Sequence, residues 1–128
     1  MNLLLDTHLL LWAAGKPDRF SSDTKELLLD PSNELWFSSA SLWEITVKRS
    51  LDRADFCVDP RRMWRMLLSH GYRELTISSE HAIAVGALPP LHKDPFDRIL
   101  IAQARVEEIT LLTADSTVAS YGEAVRLI

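Results

Sequence analysis

The chain has 128 residues, with 14 Lys and Arg against 18 Asp and Glu, a net charge of −4. That length suits one domain with its own core, over residues 1–128, and a single cysteine, Cys57, excludes a disulfide framework or a cysteine-based zinc site. The acidic balance speaks against a generic nucleic-acid binder, no segment approaches the ~20 apolar residues of a membrane span, and a reducing cytoplasmic setting is expected.

In chain order, Asn2–Leu5 reads as a short buried strand and Thr7–Ala14 as the helix after it, broken by Gly15, Lys16 and Pro17. The opening lacks a positively charged lead and is interrupted by Asp6 and His8, so no export signal is read there. Ser22 is the expected cap of a helix over Asp23–Leu29, ended by Asp30-Pro31. Leu35–Phe37 is a second strand, followed by a helix from about Ser41 to Leu51. Asp59-Pro60 is a cap with proline at the first helical position, opening a helix to about His70. Gly71 stops it, Tyr72–Ile77 is a third strand, and Ser79 caps a helix that ends before Pro89-Pro90. Asp94-Pro95 starts a helix through Glu107, Ile109–Thr113 is a fourth strand, a short helical turn follows, and Val125–Ile128 is an edge strand. Short apolar runs alternating with helical patterns imply parallel strands with crossover helices, an α/β sandwich.

Asp6, Glu44, Asp97 and Asp115 each follow closely on an apolar segment or open the helix that leads into one. In such a sheet ligands bind beyond the carboxyl ends of the strands, and a helix running back against the strands starts at that same edge. Singly, each acid has a plainer role. Asp6 and Asp115 suit a cap or turn, Glu44 closes a capping box with Ser41, and Asp97 favours a helix dipole. Jointly they place four carboxylates at one edge, where repulsion calls for a divalent cation held by oxygen ligands. Without them the chain carries 14 acidic and 14 basic residues. Arg61, Arg62 and Arg65, with Lys48, Arg49 and Arg53, form the basic concentration, either a solvated helix face or a phosphate grip.

The segments Leu4–His8, Ser38–Ile45, His92–Ala104 and Leu111–Asp115 resemble, in that order, the four motifs of the PIN-domain ribonucleases, and in particular the VapC-type toxins of bacterial toxin–antitoxin pairs. The resemblance spans the chain, and the third motif carries most of its specificity. It implies a PIN-like three-layer sandwich whose parallel five-stranded sheet, in the order 3-2-1-4-5, is flanked by helices. It also implies Mg²⁺-dependent (or Mn²⁺-dependent) endonucleolytic cleavage of RNA leaving 5′-phosphate and 3′-hydroxyl ends, a homodimer, and inhibition by a small cognate antitoxin. The family's metal ligands fall on Asp6, Glu44, Asp97 and Asp115.

Around these acids, Thr7, Ser41 and Thr113 are candidates to hold carboxylates or waters, with ordinary capping as the alternative. Arg98 is expected to pair with Asp94 or with a substrate phosphate. His8, His70, His81 and His92 lack metal-binding spacing and are expected at the solvent side or as caps. The helix after Asp6 is apolar nearly all round, so it lies either under a second layer or against a dimer mate or antitoxin. Trp36, Trp43 and Trp64 are expected in the core. A non-catalytic binding module would be favoured by a missing acid, and a small-molecule phosphohydrolase by Asp-x-Asp after the first strand, where His8 stands instead.

Overall fold

A computed structural model describes residues Met1–Ile128. Five parallel strands, β1 (Asn2–Leu5), β2 (Glu34–Ser38), β3 (Arg73–Leu75), β4 (Thr110–Thr113) and β5 (Val125–Leu127), form one sheet in the expected order β3-β2-β1-β4-β5. The helices are α1 (Thr7–Gly15), α2 (Ser22–Leu29), α3 (Ser39–Ser50), α4 (Pro60–Ser69), α5 (Ser79–Ala84), α6 (Pro95–Glu107) and α7 (Ser116–Ala119).

β1 is central, between β2 and β4, with Leu3 opposite both Leu35 and Thr110. Its three leucines are fully buried, as parallel strands covered on both faces require. Successive strand residues point to opposite faces. Leu3 and Leu5 therefore join Leu9, Phe37, Ile45, Phe56 and Met63 on one side, and Leu4 joins Leu100, Ile101, Leu111 and Tyr121 on the other. α1 lies within the first cluster, and Phe20, Leu27 and Leu28 pack over it. Trp12 lies edge-on to Phe20 at 5.8 Å between ring centroids, so this apolar helix is covered in part from within the chain, while Leu11, Trp12, Ala13 and Ala14 stay half-buried.

Several boundaries differ from expectation, most of them at helix starts. Where two serines stand in reach of a helix start, either can cap it, and the end of the preceding segment decides. Ser21, not Ser22, accepts the Thr24 N–H at 3.2 Å. Ser78, not Ser79, caps α5 and closes a capping box with His81. Ser38 caps α3, accepting the Ala40 N–H at 3.0 Å, so the box expected between Ser41 and Glu44 does not form. β3 is shorter than Tyr72–Ile77 because side chains take the backbone groups beyond Leu75. Gln103 Nε2 reaches the Thr76 carbonyl, Ser39 Oγ accepts from the Ile77 N–H, and His81 Nδ1 accepts from the Ser78 N–H.

Two side chains reverse their expected roles. Trp43 is 56% exposed, lying edge-on to Phe96 rather than in the core, whereas Trp36 and Trp64 are half-buried and satisfy their indole N–H on Asn2 and Glu74. Arg98 pairs with no acid. Its guanidinium donates to the Pro89 carbonyl and the Tyr121 hydroxyl, both at 2.9 Å, and to the Val85 carbonyl at 3.3 Å. A planar fork of donors suits such divergent acceptors and a single ammonium does not. Arg98 therefore organises the segment that leads to Asp94. Arg98→Lys is expected to cost about 1–3 kcal/mol in denaturant unfolding, against less than ~0.5 for Arg65→Lys on the exposed face of α4.

Candidate metal centre

β1 delivers Asp6 to the carboxyl edge of the sheet, where one carboxylate makes two connections. Oδ1 accepts the Leu9 N–H at 3.0 Å as the cap of α1, and Oδ2 accepts from Thr113 Oγ1 at 2.6 Å. Thr113 closes β4, and its hydroxyl oxygen also accepts the Asp115 N–H at 3.0 Å. Asp115 then caps α7 through the Thr117 N–H at 2.8 Å. One threonine thus ties the ends of two adjacent strands to two acids.

α6 starts at the same edge with Asp94 as its cap, accepting the Phe96 and Asp97 N–H groups. Asp97 Oδ2 lies 3.1 Å from His92 Nε2. Arg98 donates to the Tyr121 hydroxyl, which is left to donate its own proton to His92 Nδ1 at 2.7 Å. That sequence of donors assigns the imidazole proton to Nε2, facing Asp97. Glu44 projects from α3 and is almost fully buried; Lys48, one turn on, donates to its Oε2. Its Oε1 is buried without a partner.

Asp6, Glu44, Asp97 and Asp115 line one cavity of about 400 Å³, together with Asp94, His8, Trp12 and Ala114. They share it without closing into a ready-made coordination group of three or more ligands. Burial pushes the Asp6 carboxyl above the usual carboxylate range, against the lowering pull of its bonds from Thr113 and Leu9. Burial, then the neighbouring Asp94 charge, raises Asp97 to about 6, while the His92 bond works the other way and Glu44 adds to the rise. A buried carboxylate oxygen with no donor and carboxylates held above their ordinary pKa fit a hard cation on oxygen ligands.

Of the neighbouring hydroxyls, Thr113 bonds an acid directly. Thr7 and Ser41 instead bond each other at 3.0 Å, pinning α1 to α3. His92 and Lys48 are the partners of the acids that sequence reasoning missed. The separation of Glu44 and Lys48 by four on a helix was a signal for the second. Nothing in the spacing of the histidines marked the first.

A family model described as PIN domain matches residues 3–124. Among curated proteins there is no significant match. The fold is similar to VapBC2 from Rickettsia felis bound to a DNA fragment from its promoter, at a TM-score of 0.74 and 19% identity, over 99% of this chain and 98% of that one. It is also similar to DNA-bound VapBC from Salmonella typhimurium, with TM-score 0.66, 17% identity, and 100% and 97% coverage. A toxin–antitoxin complex from Klebsiella pneumoniae gives TM-score 0.62, 21% identity, and 97% and 95% coverage.

Two stability measurements probe the charge of this cavity. Two carboxylates ~5 Å apart repel by about 3 kcal/mol at an effective dielectric of ~20. Asparagine at position 6 retains an oxygen for the Leu9 N–H and turns the bond with Thr113 around, its amide N–H donating to Oγ1, a smaller loss than the repulsion relieved. In chelator at neutral pH, Asp6→Asn is therefore expected to melt above the parent and, on adding Mg²⁺ or Mn²⁺, to gain much less than the parent. A variant that melts lower and responds to metal like the parent would reduce Asp6 to a cap.

The second measurement is of pH. Asp97 holds its proton to about 6 in the fold against 3.8 ordinarily. Between those values the folded state binds the proton that the unfolded state has released. Its contribution is thus present at low pH and lost as pH rises through 6. Unfolding free energies in chelator should show Asp97→Asn gaining on the parent from pH 4 to 7. A constant difference would contradict the raised pKa.

Proposed function

The chain belongs to the PIN-domain family, and from that premise we propose that it is a metal-dependent endoribonuclease, a toxin of the VapC type restrained by a small cognate antitoxin. The observation that carries the proposal is the meeting of Asp6, Glu44, Asp97 and Asp115 in one cavity, with a Glu44 oxygen buried and unpartnered. Asp6, Asp97 and Asp115 would hold Mg²⁺, or Mn²⁺ in its place. Glu44 would help hold a second ion or orient the attacking water. The cation, when bound, supplies an activated water and relieves charge on the phosphodiester in the transition state.

The chain's own residues prepare that site. Thr113 fixes the Asp6 carboxylate, His92 orients Asp97, and Asp94 sets the helix start from which Asp97 projects. Such outer partners commonly govern metal affinity and activity by 10–100-fold. RNA as substrate follows from the family resemblance, and the likeness to VapBC complexes supports an antitoxin partner. A homodimer, or a hetero-oligomer with antitoxin, is the proposed assembly. No helix is long and apolar enough to cross a membrane, and the proposed setting is the cytoplasm.

Purified protein free of antitoxin should cleave RNA in Mg²⁺ or Mn²⁺ and stop in EDTA; undiminished cleavage in EDTA would sink the metal mechanism. Asp97→Asn should lose at least about 100-fold in rate with its fold intact. Asp94→Asn keeps the cap, since Asn caps about as well as Asp, and should retain most activity. Equal loss from both would show that the ligand is misassigned.

A further inference from the structure

Lys48 is not placed as a solvated lysine. Its ammonium donates to Glu44 Oε2 and lies 4.8 Å from the centroid of the Phe56 ring and 5.7 Å from that of Phe96. The side chain is 19% exposed, against 49% for the adjacent Arg49. Phe56 is fully buried and meets the cavity residue His8 edge-on at 5.6 Å, while Phe96 adjoins Asp97. Two aromatic faces and one carboxylate thus hold the charge against the wall of the acid cavity. Ring faces attract a cation, more strongly as water is excluded.

The carboxylate it pairs with cannot be left alone. Glu44 is 2% exposed, and its second oxygen has no partner. A buried charge stripped of its partner costs several kcal/mol, and the Lys48 ammonium is the cation that attends Glu44 here. We propose that Lys48 is the resident counter-cation of Glu44 and competes with the divalent cation for it, so that metal affinity is set by the exchange of one for the other. The inference rests on the reading of Glu44 as part of the metal site. The lysine steadies the fold while metal is absent, and its positive charge weakens the hold on metal when the ion arrives.

The test is Mn²⁺ binding to the purified, antitoxin-free chain, followed through the resonance signal of free Mn²⁺, with melting curves alongside. Removing one positive charge beside the ion and freeing Glu44 should make Lys48→Met bind Mn²⁺ about tenfold more tightly than the parent. Lys48→Arg keeps the charge and should bind no more tightly than the parent. In chelator Lys48→Met should melt below the parent, and saturating Mn²⁺ should narrow the gap. A lysine of purely structural role would lower melting equally with and without Mn²⁺ and leave affinity unchanged, which would overturn the proposal. If Lys48→Met is unfolded in chelator, folding on addition of Mn²⁺ supports the exchange, and failure to fold at saturating Mn²⁺ refutes it. A parent that binds no Mn²⁺ would bring down the metal reading itself. A parent that binds it, weakened by Glu44→Gln but matched by Lys48→Met, would sink the competition alone.

Discussion

One oxygen of the Asp6 carboxylate closes the first turn of α1 and the other receives the hydroxyl proton of Thr113 at the end of β4. The carboxyl edge of the sheet depends on this arrangement. β1 is the central strand and β4 its neighbour, so a side chain joining their ends sets the position of the two loops that carry Asp6 and Asp115. Because the joint is buried, it is made at an electrostatic cost, and that cost raises the Asp6 pKa.

The same tension recurs around the cavity, and each acid meets it differently. Asp115 is exposed and shares its charge with water. Asp97 leans on His92, whose orientation passes back through Tyr121 to Arg98. Glu44, the other deeply buried acid, leans on Lys48 in its aromatic cradle. These solutions span the range from solvent to a resident cation. A site built this way keeps charge density high without unfolding.

The fold reaches this arrangement through helix direction as much as through strand order. α1 and α7 start where β1 and β4 end, so their capping acids are at the carboxyl edge as a matter of connectivity. α6 leads into β4 and must run against it, which brings its first turn, with Asp94 and Asp97, to the same edge. The Arg98 guanidinium gathers the carbonyls of the preceding segment, so that the chain between α5 and α6 delivers His92 beside Asp97.

The sequence by itself determined the order of strands and helices and the four acids that share the cavity. Apolar runs, proline after a capping aspartate and the alternation of periods act over a few neighbouring residues, and those forces can be read without knowing what lies across the fold. What only the tertiary structure decided was the choice among local equals and the identity of distant partners. Ser38 rather than Ser41 caps α3 because β2 continues to Ser38, and that frees Ser41 for Thr7. Trp43 stands in solvent although its neighbours Glu44 and Ile45 are buried, since a helix turns its residues to different sides. His92 meets Asp97 through one ring nitrogen while Tyr121, 29 residues on, takes the other. Each of these outcomes depends on which segment is brought alongside, and the hydrophobic burial that brings it there is non-directional, so it leaves no local mark on the residues whose partners it selects.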